Sequence, residues 1–263
     1  MKKETAVNFM LYTLMEVTLN DMDKNGNPVE AEYYIEKAVR RAYRDASSHV
    51  LSIEKGKDDS KKNPHIKERT IERLVKELKG IHHNKDYKDW HNYVCKDVLL
   101  EEIYKEENVD YKAKDREFSY GISQKLVNMT IKYLTILYTV MADMGIENVN
   151  KNYIDYYEKN LKKYESDFDI PIDSYILEGT KKNFKDFDLF PHKKKFDSDS
   201  KTDTVLGIYS SSNNLPWSKW NEDDYKRFQD SLKEKIQENL KEGETILDWE
   251  GKIWIEIAKE RKK

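Results

Sequence analysis

The amino-acid sequence predicts an all-α protein. It has only 9 Gly and 5 Pro in 263 residues, whereas a protein rich in β-hairpins needs many more of both for its turns. Apolar residues recur every three or four positions in several segments, as they do on one face of a helix. Charged residues make up 37% of the chain, but 18 Tyr, 8 Phe and 5 Trp supply core material, so the composition is not that of a disordered chain.

The N-terminal part is predicted to form two helices joined by a turn. Residues 5–19 carry Val, Met and Leu at helical spacing, and residues 21–28 contain Asn25-Gly26 and Pro28, which favour a turn. A second helix is predicted over about 31–50, with an apolar face and a basic remainder. The basic face consists of Lys37, Arg40, Arg41 and Arg44. It is a candidate phosphate-binding surface, although such charge runs are usually solvated.

The middle of the chain is predicted to contain the central helix. Residues 54–65 are mostly polar and are predicted to form an exposed loop, and helices are expected at 67–80 and 96–107. The longest apolar stripe at helical spacing runs from Ser123 to about Met144. That stripe predicts a long helix with most of its circumference in the core.

The C-terminal part is predicted to add three further helices. One lies near 150–165 and is broken by Phe168-Asp169-Ile170-Pro171, because the residue before a proline disfavours helical geometry. A loop with the basic run Lys193-Lys194-Lys195 is predicted over 192–214. Helices at 222–241 and 245–260 flank Gly243, a typical helix stop. We expect residues 1–263 to form a single helical domain.

Several classes of protein are disfavoured by the composition. The single Cys95 provides neither a disulfide framework nor a zinc cluster, and His82, His83 and His91 do not match a standard zinc spacing. No run approaches the ~18 apolar residues that span a membrane. The chain has no phosphate-binding loop and no dinucleotide-binding motif. We therefore expect a cytoplasmic protein without a cofactor and without a membrane partner; the oligomeric state stays open.

Two short segments carry the most informative residues. In residues 120–128 a tight turn containing Gly121 is expected directly before the central helix, with Lys125 in the first turn of that helix. The second segment reads Ile170-Pro171-Ile172-Asp173 and then opens an apolar helix. In order and context the segments resemble the two halves of the active site of helix-hairpin-helix DNA glycosylases, in a divergent form of the 8-oxoguanine and archaeal 8-oxoguanine glycosylase type. The separation of Lys125 and Asp173 is longer than in most of that family, and the archaeal branch also departs from the usual spacing. Ser123 stands where that family's hairpin has a second glycine.

The resemblance implies a helical DNA-glycosylase-like fold with a helix-hairpin-helix core over about 119–178. It implies a DNA glycosylase in which Lys125 attacks C1′ of the nucleotide and Asp173 is the carboxylate partner. Whether the same lysine also cleaves the strand, as an AP lyase, stays open. The partner is double-stranded DNA with a flipped, damaged or modified base. Gly121, Ser123 and Gln124 would contact DNA phosphates, and Tyr120, Trp217 and Trp220 are candidates for stacking the base. Both base-excision repair and defence against modified phage DNA stay open.

Two other interpretations of the same residues are open. A non-catalytic helical nucleic-acid-binding or scaffold protein would use Asp173 only as the N-cap of the helix that begins at Ser174. A calcium-binding helical protein is suggested more weakly by the residues that occupy EF-hand spacing. Those residues are Asp21, Asp23, Asn25 and Glu32. Pro28 falls where such loops place a residue with a free amide.

Overall fold

The computed structural model describes residues 1–47, 65–102, 119–143, 145–187 and 216–262. Within these ranges every regular element is helical, so the all-α prediction is confirmed, and the only β-type pairing there is an isolated bridge between Met22 and Pro28. No helix in the described ranges is long and apolar enough to cross a membrane. The predicted loops at 54–65, apart from His65, and at 192–214 lie outside the described residues.

The described residues group into two compact units. The first contains residues 1–47, 65–102, 123–143 and 145–171. The second contains residues 119–122, 172–187 and 216–262. The segment 119–178 contributes to both, so the single domain inferred from the sequence stays a prediction.

The first unit contains six α-helices among its described residues. They are α1 (Lys3–Met15), α2 (Ala31–Ser47), α3 (His65–Gly80), α4 (Tyr87–Tyr93), α5 (Tyr120–Asp143, of which the first three residues belong to the second unit) and α6 (Lys151–Asn160). A π-helical segment, Val94–Glu102, continues α4. α1 ends earlier than the sequence predicts because Glu16 adopts a left-handed conformation, with φ 59°. α4 was not predicted; its start is fixed by Asp86, whose carboxylate accepts from the amides of Lys88 and Asp89.

The second unit contains three α-helices among its described residues. They are α7 (Ser174–Asn183), α8 (Glu222–Gln237) and α9 (Ile246–Glu260). α8 and α9 are separated as the sequence predicts, with Gly243 at φ 79°. Thr245 then starts α9 with a capping box, in which its hydroxyl and the carboxylate of Asp248 each accept a backbone amide of the other residue. This exchange satisfies two of the orphan donors at the helix start.

The core of the first unit is rich in tyrosine. The hydroxyl of Tyr153 donates to the carbonyl of Leu134 at 2.6 Å, and that of Tyr156 donates to the carbonyl of Leu78 at 2.9 Å. Each ring therefore buries apolar surface while its hydroxyl keeps a hydrogen bond. Tyr34 is fully buried as well, and burial raises its pKa to about 12.

We predict that the protein loses stability in alkali. Unfolded tyrosine releases its proton near pH 10, whereas Tyr34 in the folded state holds it to about pH 12. The unfolded state therefore binds fewer protons, and the free energy of unfolding falls as pH rises from 10 to 12, by about 1.4 kcal/mol per pH unit for one such tyrosine. Urea denaturation at pH 9, 10 and 11 measures this. Tyr34→Phe should reduce the slope by the contribution of one tyrosine, and the exposed Tyr12→Phe should leave it unchanged; equal slopes in both variants would contradict the assignment.

Helices α7 and α9 pack closely at a glycine. A Cβ built on Gly179 would lie 2.0 Å from Cγ2 of Ile253, a core residue of α9. The two backbones can therefore approach only because position 179 lacks a side chain. Gly251 of α9 is different, since a Cβ there would meet no atom within 4 Å.

Alanine substitution at these two glycines should have opposite effects. Gly179→Ala overpacks the interface of α7 and α9 and should lower the free energy of unfolding by about 1–3 kcal/mol. Gly251→Ala removes the helix penalty of glycine without a clash and should raise it by about 0.5–1 kcal/mol. Chemical denaturation of both variants checks this. A Gly179→Ala variant as stable as the unsubstituted chain would show that the close approach is not required.

Candidate functional site

The segment predicted to be a tight turn is helical instead. Tyr120 begins α5, so Gly121 lies in its first turn. The expected turn geometry at Gly121 is therefore wrong, and the glycine serves close packing, because a Cβ would lie 2.0 Å from the carbonyl oxygen of Trp217. The amide of Gly121 donates to the carbonyl of Trp220 at 3.1 Å. That amide is thus already engaged within the second unit, and its expected contact with a DNA phosphate stays a prediction.

Lys125 lies on α5 and is only 7% exposed. Its neighbours Ser123 and Gln124 are fully buried, so their side chains would need a different local conformation to contact a phosphate. Their expected role in DNA binding stays a prediction. A buried lysine is uncommon in proteins and needs polar partners. Its position at the start of the central helix agrees with the sequence-based placement.

A buried hydrogen-bond network surrounds the turn of α5 that carries Lys125. The amide nitrogen of Asn128 donates to Oε1 of Gln124 at 3.1 Å and to the carbonyl oxygen of Ile170 at 3.3 Å. The amide oxygen of Asn128 lies 2.9 Å from Nε2 of His91. The side chains of Gln124, Asn128 and His91 are all buried. One amide therefore joins α4, α5 and the chain at Ile170 inside the first unit.

Three further polar groups surround His91 in the same unit. The carboxylate of Asp169 lies 3.9 Å from Nδ1 of His91. The Sγ of Cys95 lies 3.7 Å from Nε2 and 3.9 Å from Nδ1. The ring of Tyr87 has its centroid 5.8 Å from the imidazole. Burial, and then the nearby Asp169 charge, raise the pKa of Tyr87 well above its ordinary range, so this phenol stays neutral.

Sequence reasoning missed this network. His91 was dismissed because it fits no zinc spacing, and Asp169 was interpreted only as part of a helix-breaking segment. One signal was available: Gln124 and Asn128 are four residues apart, which places two polar side chains on the same helix face inside an otherwise apolar stripe. Polar groups at such positions need buried partners.

Asp173 lies in the second unit and caps α7. Its Oδ1 accepts from the backbone amides of Tyr175 at 2.9 Å and Ile176 at 3.0 Å. The N-cap role considered from the sequence is therefore confirmed. The cap fixes the direction of the carboxylate, which is partly exposed. Lys125 belongs to the first unit and Asp173 to the second.

The three aromatic candidates for base stacking are buried in the second unit. The ring of Tyr120 lies 5.5 Å from that of Tyr225, and the ring of Trp220 lies 4.9 Å from that of Phe228. Trp217 is also buried. These contacts are core packing, and stacking on a flipped base would require each ring to leave them. Their role in the base pocket stays a prediction.

The loop with EF-hand spacing uses its polar groups for turns and ion pairs. The carboxylate of Asp21 accepts from the amide and hydroxyl of Thr18, and Oδ1 of Asp23 accepts from the amides of Asn25 and Asn27. Glu32 pairs with Lys79. Among the described residues no group of three or more His, Cys, Asp or Glu side chains is placed to hold a metal ion. The arrangement explains these residues as a polar turn.

The basic face of α2 is matched by carboxylates. Arg40 pairs with Glu36 at 2.7 Å and Glu68 at 2.6 Å, and Arg44 pairs with Glu16 at 3.2 Å. These arginines therefore do not form an open phosphate-binding surface in this structure. A groove of about 400 Å³ lies between α2 and α3, but charges of both signs line it and it contains none of the predicted catalytic residues. The basic run 193–195 lies outside the described residues.

Removing the Asn128 amide should destabilise the first unit strongly. Asn128→Leu removes the hydrogen bonds that one amide makes with Gln124, His91 and the Ile170 carbonyl, and each buried hydrogen bond lost costs about 0.5–1.5 kcal/mol. We expect a loss of about 2–4 kcal/mol in the free energy of unfolding.

Thr130→Val is the matched control for that substitution. Thr130 is equally buried, but its hydroxyl donates within α5 to the carbonyl of Leu126 at 2.8 Å. Its substitution should therefore cost no more than about 1 kcal/mol. Urea denaturation gives the free energy of unfolding of both variants. Equal losses would show that the hydrogen bonds of Asn128 stabilise the protein no more than the single hydrogen bond of Thr130.

Comparison with known proteins gives no relative for this chain. No protein-family model matches it, and neither a curated protein nor a solved structure is similar to it at a significant level. The geometry around Lys125 is therefore the basis on which a function is proposed.

Proposed function

We propose that the protein is a DNA glycosylase that uses Lys125 as its nucleophile to excise a damaged or modified base. The observation that carries the proposal is the hydrogen bond from Asn128 to the carbonyl of Ile170. Asn128 lies three residues after Lys125, and Ile170 lies three residues before Asp173. The contact therefore holds Ile170 against the turn of α5 that bears Lys125, within the first unit.

Burial of Lys125 also supports a nucleophilic role. The attacking amine must be held in one direction toward the sugar, and a site largely removed from water provides that positioning. Because Lys125 is only 7% exposed, the amine must become accessible to the sugar when DNA binds. Base flipping supplies such an opening, because the target nucleotide enters the protein from the duplex.

The proposed reaction begins at C1′ of the flipped nucleotide. The lone pair of Lys125 Nζ forms a bond to C1′, the N-glycosidic bond breaks, and its electron pair leaves with the base, which takes up a proton. The C1′–O4′ bond then breaks, O4′ takes up a proton released from Nζ, and a double bond between Nζ and C1′ completes the imine. Loss of a C2′ proton expels the 3′ phosphate and nicks the strand. Water finally hydrolyses the imine and regenerates the amine.

Asp173 is the proposed carboxylate partner of this reaction. It would take the proton that Nζ loses on attack, or stabilise the positive charge that develops on the sugar. Capping of α7 holds this carboxylate in a fixed direction, which a positioned base requires. The proposal requires this carboxylate to reach the reacting sugar when DNA is bound.

One observation favours a second candidate function. Asp173 is engaged as an N-cap, and capping alone accounts for an Asp at that position. A non-catalytic helical nucleic-acid-binding or scaffold protein would need no more from this residue. The two candidates differ in whether Lys125 forms a covalent bond to DNA.

Borohydride trapping separates the candidates. Duplexes that carry an abasic site or a panel of modified bases are incubated with the protein and borohydride, which reduces the imine to a stable amine. We expect a covalent protein–DNA adduct that Lys125→Gln abolishes. Lys132→Gln is the matched control, since Lys132 lies on the same helix, and it should keep the adduct.

Asp173 is tested with a pair of substitutions. Asp173→Asn keeps an oxygen that can cap α7 but removes the charge, so the melting temperature should hold while excision falls about a hundredfold or more. Asp173→Ser also keeps a capping group and should behave in the same way. No adduct on any duplex would overturn the proposal in favour of the non-catalytic protein. An adduct that survives Lys125→Gln would overturn Lys125 as the nucleophile, because another amine would then form the imine.

A further inference from the structure

Helix α1 is apolar on both of its sides. One side packs into the first unit through its buried residues Val7, Leu11 and Met15. On the opposite side, Phe9 is 70% exposed and Tyr12 is 62% exposed. A helix that is apolar all round is normally covered on all sides, whereas a surface helix presents polar side chains to water. In the part of the chain that the structure describes, α1 is covered on one side only.

The exposed side chains of α1 form one continuous surface. Thr5, Phe9, Tyr12 and Thr13 are all exposed, and their spacings of three and four residues place them on the same side of the helix. Met10, which is 59% exposed, lies at the edge of this side. These five residues are called the α1 outer face below. Residues 5–15 contain no charged side chain, although charged residues make up 37% of the chain.

The α1 outer face is held in place from the other side of the helix. Oδ1 of Asn8 accepts from the backbone amide of Leu19 at 2.8 Å. At the C-terminal end of α1, the carboxylate of Glu16 pairs with Lys37 and with Arg44, each at 3.2 Å. The charges at this border are therefore satisfied within the first unit. An apolar centre with a polar border is the usual composition of a protein–protein interface.

The exposed area is large enough for a small interface between two proteins. A side chain of the size of Phe9, Met10 or Tyr12 has roughly 200 Å² of surface, so the exposed fractions of the three amount to roughly 400 Å². An isolated apolar patch of this size on a monomer often marks a binding surface. Two such patches in contact, together with Thr5 and Thr13, would bury about 1,000 Å², which is near the lower limit for a specific interface.

The absence of charge on the α1 outer face identifies its partner. When a surface meets its own copy across a two-fold axis, each residue near the axis contacts the same residue of the other copy. A charged residue there would face a like charge, so a self-complementary surface must be neutral at its centre. Nucleic acid would instead require cations to neutralise its phosphates. A helix that binds a lipid surface also usually carries Lys or Arg along its polar side.

We propose that the α1 outer face joins two copies of this chain across a two-fold axis that passes near Phe9. The two α1 helices run antiparallel, because this arrangement avoids placing like ends of two helix dipoles together. Thr5 of one copy then lies near Thr13 of the other, since each is four residues from Phe9. The small area predicts a dissociation constant on the order of 10 µM. Such a dimer would form whether or not the protein excises bases.

A charge exchange at Phe9 tests the dimer in the full chain. Sedimentation velocity from roughly 1 to 300 µM protein gives the dissociation constant. Phe9→Glu places two like charges at the axis and should raise this constant about thirtyfold or more, and Phe9→Lys should do the same. An equimolar mixture of the two variants places opposite charges there, and it should associate about tenfold or more tightly than either variant alone. Far-ultraviolet circular dichroism should stay unchanged, because residue 9 is 70% exposed.

Ile255→Glu is the matched control for the charge exchange. Ile255 is 51% exposed on α9, so the substitution adds the same charge to an exposed apolar position outside α1. It should change the dissociation constant by less than about twofold. A dimer that Phe9→Glu leaves intact, or that Ile255→Glu weakens equally, would overturn the α1 outer face as the interface.

Cysteine pairs test the antiparallel arrangement. The native chain has one cysteine, Cys95, and it is buried, so an added surface thiol is the reactive one. A disulfide requires the two Cβ atoms to approach within about 4.5 Å. With mild oxidation, an equimolar mixture of Thr5→Cys and Thr13→Cys should therefore form a disulfide-linked dimer about tenfold faster than either variant alone. Faster linkage of Thr5→Cys to itself would overturn the antiparallel arrangement.

Two further outcomes would overturn the proposal. A chain that stays monomeric at about 300 µM does not use this face to bind its own copy. A monomer that sediments with phosphatidylcholine vesicles, and that loses this binding in Phe9→Glu, would assign the α1 outer face to a lipid surface instead. A reversible dimer that Phe9→Glu and Phe9→Lys each weaken, and that their mixture restores, supports the proposal.

Discussion

The buried amide of Asn128 is the interaction on which the arrangement around Lys125 depends. Its nitrogen donates to Oε1 of Gln124 and to the carbonyl oxygen of Ile170, and its oxygen lies within hydrogen-bond distance of Nε2 of His91. Because the groups have little access to water, a missing partner is not replaced, and each unsatisfied group costs about 1–3 kcal/mol. The contacts therefore support one another, and the start of α5, α4 and the chain at Ile170 keep a single relative arrangement within the first unit.

Apolar spacing was sufficient to predict most helices but not this network. The stripe from Ser123 to Met144 predicted α5 to within a few residues, and Gly243 correctly separated α8 from α9. The partner of Asn128 is His91, 37 residues away, and no local pattern encodes a contact at that separation. Gly121 was misinterpreted for a related reason. A glycine suits either a turn or a close approach, and only the packing of Trp217 against it distinguishes the two.

Charged and polar motifs were the least predictable features, because one residue type serves several purposes. Arg40 on the basic face of α2 is paired with Glu68 on α3, which the sequence of α2 alone cannot reveal. The carboxylate of Asp23 matches a calcium-loop position, yet it accepts two backbone amides of its own turn. In both cases an ion pair or hydrogen bonds within the protein engage a charged group that a sequence motif would assign to ligand binding. Lys125 and Asp173 likewise suit either a catalytic or a purely structural role, and trapping of a covalent adduct distinguishes the two.

Capping and catalysis at Asp173 are compatible in physical terms. The cap engages Oδ1 with the amides of Tyr175 and Ile176 and thereby fixes the plane and direction of the carboxylate. A general base works best when its direction is fixed before the substrate arrives. Similarly, the buried polar face of α5 around Gln124 and Asn128 could be replaced by apolar side chains with little loss of stability if stability were its only purpose. Under the proposed function, the polar side chains of Gln124 and Asn128 have a second purpose, which is to position Lys125 as the nucleophile.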